Sequence, residues 1–237
     1  MQKTAMITGG AKRLGYHMAL LLAGDGFDIA LHCNTSLKEA ETTRHAIETR
    51  GRRCLLLPGD LTDAAIYDTL IDTACEKLGP LSVLINNASV FEKSDFARVS
   101  PADFDQNIQL HLKAPFFLSQ AFAKQCEKGA IINMLDTRVE NHDTAYFAYT
   151  LSKKALKELT LMSAKTLAPK IRVNGVCPGA ILPPENTGEE TLHIVAGKTP
   201  MKRPGGVHDI LNAVRYLTQS DYVTGEILYV DGGARLQ

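Results

Sequence analysis

Tyr149 and Lys153 stand four residues apart in a segment of helical character. Four residues is about one helical turn, so the phenol and the ammonium project from one face. A phenol ordinarily ionises near pH ~10. A neighbouring ammonium favours the phenolate, so the spacing predicts a lowered value for Tyr149. A tyrosine tuned in that way can hand a proton to a substrate oxygen or nitrogen near neutral pH. Any helix can hold such a pair by chance, and its meaning depends on what lies around it. Just upstream, the apolar run Ala130–Leu135 reads as a buried strand that ends at Asp136. That acid is either a cap for the loop that follows or a third member of a reacting group.

The elements that would carry these residues follow from the chain in order. Ala5–Thr8 reads as a first buried strand and runs into Thr8-Gly9-Gly10-Ala11-Lys12-Arg13-Leu14-Gly15. Leu14, Met18, Leu21 and Leu22 then recur at helical spacing until Gly24 and Gly26. A glycine-rich turn between strand and helix lets backbone N–H groups and the helix N-terminus hold a diphosphate. Phe27–His32 is a second strand. In dinucleotide-binding units an acid about 20 residues beyond the glycines binds the ribose diol of NAD. Here the stretch is Asn34-Thr35-Ser36, without an acid. That absence removes a repulsion against a 2′-phosphate, and Arg13, Thr35 and Ser36 offer donors, so NADP is favoured over NAD. Ser36 also has a second reading, as a capping box with Glu39.

Further strands are predicted at Cys54–Leu57, Leu81–Ile85, Ile171–Cys177 and Glu226–Val230, and helices near 36–50, 63–78 and 207–218. Ser100-Pro101-Ala102-Asp103 is a helix start, and Pro115 is expected to kink or break that helix. The stretch 180–202 has little periodicity and reads as a substrate loop. The alternation predicts α/β architecture: one domain over 1–237, an open, Rossmann-like, doubly wound parallel sheet of about seven strands with helices on both faces. In such sheets ligands bind at the carboxyl ends of the strands. The glycine loop, Asn34–Ser36, Asp60, Asn87–Phe91, Asp136 and Pro178–Gly179 all follow predicted strand ends and should line one edge.

Composition narrows the partners. The chain has 237 residues, 45% of them hydrophobic, and 26 basic residues against 26 acidic ones. A zero net charge without basic clusters argues against nucleic acid and against a polybasic membrane anchor. No stretch approaches the ~18–20 apolar residues of a membrane span. Cys33, Cys54, Cys75, Cys126 and Cys177 are scattered, with no C-x-x-C, so neither a metal site nor a disulfide framework is expected. The expectation is a cytoplasmic protein acting on a small molecule.

Together these residues resemble the short-chain dehydrogenases/reductases. The marks are Thr8-Gly9-Gly10 with Gly15, Asn86-Asn87-Ala88, Tyr149 with Lys153, Arg172-Val173-Asn174, Pro178-Gly179 and Asp231-Gly232-Gly233. Three departures narrow the likeness. Arg13 stands where the loop usually has its middle glycine, Asp136 stands at the usual serine, and Asn87-Ala88 continues as Ser89-Val90-Phe91. This combination is similar to pteridine reductases and dihydromonapterin-type dihydropteridine reductases.

The resemblance implies NADPH-dependent reduction of a pterin or dihydrofolate-like substrate, with Asp136, Tyr149 and Lys153 catalytic and Tyr149 as proton donor. It implies substrate contacts from Arg13, Ser89, Phe91 and Tyr149. The cofactor set it implies is Gly9, Lys12, Arg13, Leu14, Asn34, Thr35, Ser36, Asp60, Leu61, Asn87, Ala88, Ser89, Lys153, Pro178 and Gly179. Phe91 is then an aromatic platform, or else a core residue under its loop. His111 takes the place of an asparagine that in relatives links the lysine to solvent through water; it either bridges water, titrating near pH ~6.5, or is structural. No threonine follows Pro178-Gly179 closely, where many relatives use one to hold the carboxamide. The likeness further implies a homo-oligomer, tetrameric by analogy. Two other functions stay open: a ketone reductase of the same superfamily, and a catalytically silent NADP-binding sensor.

Overall fold

Strands that are buried on both faces need apolar residues at every position, and four segments here meet that demand almost without interruption. In the computed structural model, which describes residues 3–184 and 187–236, they form the centre of the sheet: β1 (Lys3–Ile7), β4 (Leu81–Asn86), β5 (Gly129–Met134) and β6 (Ile171–Pro178). β2 (Phe27–Cys33) and β3 (Cys54–Pro58) extend it on one side and β7 (Ile227–Val230) on the other. The order is β3-β2-β1-β4-β5-β6-β7, and every pairing is parallel. The predicted doubly wound sheet is therefore the observed one.

The two-residue period of the strands sorts their side chains between two cores. Ala5, Ile7, Val83 and Ile85 face α1 (Arg13–Gly24), α2 (Leu37–Glu48) and α8 (Val207–Gln219). Met6, Leu84, Ile131 and Val173 face α3 (Tyr67–Leu78), α5 (Ala114–Gln125) and α6 (Phe147–Leu167). Strand order reverses between β1 and β4, which opens a crevice at their carboxyl ends. The loops after these two strands, carrying Gly9 and Asn87, flank that crevice.

Three local expectations change. The stretch 180–202 contains a helix, α7 (Glu189–Ala196), with Leu192 and Ala196 buried. Its period is hidden because Ile194 and Val195, next to those residues, are apolar but exposed. Glu185 and Asn186 of that stretch lie outside the described residues. Pro115 neither kinks nor breaks its helix. α4 (Pro101–Ile108) passes through a π turn, Gln109–Lys113, into α5, and the Ala114 N–H reaches the Gln109 carbonyl five residues back. The ladder has already shifted register where proline lacks its N–H, so the helix continues. Ser36 makes no side-chain cap at α2, so the capping box with Glu39 does not form. The box at Ser100 and Asp103 does, with the Asp103 N–H donating to Ser100 Oγ at 3.1 Å.

Candidate active site

α6 begins after Tyr146, and its first turns carry Tyr149 and Lys153 inward, 5% and 3% exposed. The Tyr149 hydroxyl donates to Asp136 Oδ2 at 2.9 Å. Asp136 is a cap, as one of its readings had it, and it also contacts the phenol. Its Oδ1 caps the short helical turn Thr137–Val139 by accepting the Arg138 N–H at 2.8 Å, while Oδ2 meets the phenol. Lys153 Nζ donates to the Met134 carbonyl at 2.7 Å and lies 5.8 Å from the centre of the Tyr149 ring.

This geometry reverses the expected tuning of Tyr149. Burial, followed by the adjacent Asp136 carboxylate, raises the phenol well above its ordinary value. Lys153 does not offset this, because its amine turns to a backbone carbonyl. At neutral pH Tyr149 is therefore a protonated donor. Lys153 is itself pulled down to about 8 by burial, with Asp136 holding its proton on.

The wall beside the phenol contains two residues that the sequence did not single out. Tyr146 stacks on Phe91 with centroids 4.2 Å apart and planes 10° from parallel. Phe91 also meets Tyr149 edge-on at 4.9 Å. The Arg138 guanidinium lies 4.9 Å from one stacked centroid and 5.0 Å from the other, hence at the seam of the two rings. It pairs with Asp136 at 3.3 Å and with Asp143 at 2.9 Å. Phe91 is half-buried, with one face covered by Tyr146. The arginine two residues beyond the acid was the available signal for Arg138. Ser89 lies near the Tyr149 phenol and slightly opposes the rise in its pKa. His111 is 1% exposed, and burial first, then Lys153, holds it well below its ordinary value, so it does not titrate near neutrality.

A second group surrounds the glycine loop. Asn87 Nδ2 donates to the carbonyls of Thr8 and Gly9 at 2.9 and 3.0 Å, and the Thr8 hydroxyl accepts the N–H groups of Asn87 and Ala88. Gly9 adopts φ +61°, and a Cβ there would meet Ala88 Cα at 2.9 Å. Lys12 precedes α1 in extended conformation, Leu14 packs on the core, and the first turn of α1 has no acid. Arg13 has φ +54°, which explains why glycine is usual at this position; the left-handed backbone costs of order 1–3 kcal/mol for other residues. Its guanidinium donates to the Pro183 carbonyl at 2.7 Å.

Asn34, Thr35 and Ser36 follow β2, with Asn34 and Thr35 exposed. Asp60 accepts the Thr62 N–H at 2.9 Å, and the buried Leu61 takes the Tyr67 hydroxyl on its carbonyl. Gly179 follows Pro178 at the end of β6 and packs so closely on Asp231 that a Cβ would lie 2.6 Å from its Cα. The close backbone approach at Gly9 and the uncapped, acid-free start of α1 fit a dinucleotide diphosphate.

His32 holds this loop from below. Its Nδ1 accepts the Gly9 N–H at 3.2 Å, and Nε2 donates to the Gly59 carbonyl at 3.0 Å. Burial lowers its pKa to about 4. A value depressed below the unfolded ~6.5 means that its stabilisation is present above pH ~6.5 and is lost as pH falls toward the folded value. Urea unfolding between pH 7 and 4 is expected to show a loss of up to about 3 kcal/mol from this group, and His32→Gln should flatten the descent; an unchanged slope would remove His32 as its source.

A short-chain dehydrogenase/reductase family model, described as enoyl-(acyl carrier protein) reductase, matches residues 9–235. The chain belongs to the short-chain dehydrogenases/reductases. L-2,3-butanediol dehydrogenase of Corynebacterium glutamicum is 33% identical to this oxidoreductase over 258 residues, covering 98% of each chain. The crystal structure of FolM alternative dihydrofolate reductase 1 from Brucella suis, in complex with NADP, has a TM-score of 0.94 at 34% identity and covers 99% of this chain and 95% of that one. Acetoin dehydrogenase YohF from Salmonella typhimurium has a TM-score of 0.91 at 32% identity, covering 100% and 98%. Among the described residues no helix of this short-chain dehydrogenase/reductase is long and apolar enough to cross a membrane, and no cluster of His, Cys, Asp and Glu could hold a metal.

Proposed function

We propose that this enzyme is an NADPH-dependent reductase of a pterin or a dihydropteridine/dihydrofolate-like heterocycle. The observation that carries the reading is the protonated Tyr149 phenol bonded to Asp136 at 2.9 Å beside the half-exposed ring of Phe91. The similar fold of a dihydrofolate reductase crystallised with NADP supports it. Reducing a C=N bond to CH–NH takes a hydride at carbon and a proton at nitrogen. NADPH, held by the glycine loop, Asn87–Ser89 and Lys153, supplies the hydride. Asn34, Thr35 and Ser36 receive the 2′-phosphate. Asp60 and Leu61 border the adenine side, and Pro178 and Gly179 the nicotinamide side.

Tyr149 gives the proton. Asp136 orients the phenol, while its other oxygen accepts from Arg138. Phe91, backed by Tyr146, provides a stacking surface, which contributes about 0.5–1.5 kcal/mol beyond area burial. Ser89 and Arg13 add polar contacts. The buried and intact Tyr149–Lys153 pair weighs against a silent sensor.

The butanediol and acetoin dehydrogenases among the relatives favour a second reading, reduction of small ketones. A panel of dihydrobiopterin, dihydrofolate and acetoin, followed by NADPH absorbance, separates the two. Dihydrobiopterin or dihydrofolate is expected to turn over at least tenfold faster than acetoin; the reverse order would transfer the assignment to the ketone reading. Exposed Phe104, Phe116, Leu151 and Met162 on α4, α5 and α6 support homo-oligomerisation, tetrameric by analogy. The five free cysteines agree with a reducing, cytoplasmic setting.

A further inference from the structure

The π turn Gln109–Lys113 carries one buried side chain, His111, into the space behind the phenol. Turns of this kind inside α-helices occur frequently at functional sites. The His111 ring meets the Tyr149 ring edge-on at 5.3 Å and joins three segments. Its Nε2 lies 3.0 Å from Ser89 Oγ and 3.3 Å from the Val90 nitrogen. Its Nδ1 lies 2.9 Å from Ser152 Oγ, whose proton goes to the Tyr149 carbonyl at 2.7 Å.

These partners fix the tautomer. A backbone N–H can only donate, so Nε2 is the acceptor and carries no proton. The Ser152 hydroxyl has spent its proton on the Tyr149 carbonyl and can only accept from the ring, so Nδ1 is the donor. His111 is neutral, and burial with Lys153 close by keeps it so. On its Nδ1 side the ring ends on a hydroxyl bound to a backbone carbonyl, which holds the ring proton in place.

Ser89 is the mobile member. Its hydroxyl has one proton and two acceptors in contact, His111 Nε2 at 3.0 Å and the Val90 carbonyl at 3.2 Å, with the Tyr149 phenolic oxygen as a third, beyond direct hydrogen bonding in the resting geometry. While Tyr149 holds its own proton and donates it to Asp136, the phenolic oxygen is a weak acceptor. Once that proton has left, the oxygen carries a full charge beside a carboxylate and becomes the strongest acceptor of the three.

We propose that the Ser89 hydroxyl is a rotor that rests on neutral His111 and swings to the Tyr149 oxygen as the phenolate forms, with His111 positioning it for that swing. The inference rests on Tyr149 being the proton donor. No bond to Ser89 breaks. The Tyr149 O–H bond breaks, the proton goes to the substrate, and the Ser89 side chain only rotates to bring its O–H onto the phenolate. His111 holds both Ser89 Oγ and the Val90 N–H, so the 89–90 segment keeps its place beside the phenol. The rotor weakens the charge opposition that Asp136 creates, so the same carboxylate can orient the phenol without blocking its ionisation.

The test compares Ser89→Ala, Ser89→Thr, His111→Phe, His111→Gln and the Ser89→Ala/His111→Phe pair, with Tyr149→Phe as reference. Each is assayed with dihydrobiopterin, or with acetoin if only the ketone is reduced, and each is titrated with NADPH by fluorescence. Ser89→Ala and His111→Phe are each expected to lower kcat about tenfold; KM and NADPH affinity should stay within about twofold in His111→Phe, whereas Ser89→Ala also loses its own contacts to cofactor and substrate. The double variant should match the worse single one, because both changes disable one device. Ser89→Thr keeps the hydroxyl and His111→Gln keeps an acceptor and a donor, so both should recover most of kcat.

Losses that multiply in the double variant, or a wild-type kcat in Ser89→Ala, would overturn the rotor. Ser89 is exposed, so Ser89→Ala folds even where His111→Phe does not. If Tyr149→Phe turns over normally, it is the Tyr149 reading that has failed, whatever the other variants show.

Discussion

Tyr149→Phe is expected to lower kcat by about 10²–10⁴-fold, the range general acid catalysis contributes, while NADPH affinity stays within about threefold. The reasons are local. Phenylalanine keeps the ring contacts with Phe91 and His111 and removes only the oxygen. Asp136 loses one donor but retains the Arg138 N–H and guanidinium, so the carboxylate is not left bare. Melting temperature should therefore change little, which separates lost chemistry from lost structure. Stopped-flow reduction and NADPH fluorescence titration measure the two quantities independently. A variant that retained turnover would remove Tyr149 from the proton step.

Asp136→Asn is expected to cost about 10²-fold in kcat and to move the alkaline limb of kcat/KM. Lys153 loses its proton near about 8, and Asp136 is the foremost group keeping it on. Without the carboxylate the ammonium titrates lower, so the limb shifts toward acid. The carboxylate also raises Tyr149, so its removal lowers the phenol at the same time. Both shifts have the same sign. Asparagine can still cap Arg138 through its carbonyl oxygen, so the loop should hold. A variant with wild-type kcat and an unmoved limb would reduce Asp136 to its capping role. Rates measured from pH 6 to 10 decide between these outcomes.

The parallel strands were legible because burial on both faces leaves a nearly continuous apolar run, as at Val83, Leu84 and Ile85. The strand-end loops were legible for the same reason, since each run stops abruptly at polar or glycine residues. Asp136, Tyr149, Ser89 and Phe91 do converge, and Gly9 with Asn87 and Ala88 forms the loop cluster. Spacing also brought Lys153 beside Tyr149, yet it carried no information about where the amine points. The expected sign of the tyrosine shift failed there, because Lys153 turns to Met134 and burial outweighs it. Arg138 and Tyr146 escaped notice because their importance lies in a three-way stack assembled from two distant loops. α7 was hidden by apolar residues on its outer side, and the π turn by the lack of any sequence period that marks one.

The buried ammonium of Lys153 sets a conflict between endurance and activity. A lysine depressed from 10.5 to about 8 is charged at neutral pH against the preference of its surroundings. The fold regains stability as pH rises from about 8 toward 10.5, by an amount of order 3 kcal/mol. On the proposed role of Lys153, catalysis is expected to decline over the same interval. Directed evolution for heat resistance alone would thus reward loss of that charge, and a library selected without an activity screen should accumulate neutral side chains at position 153.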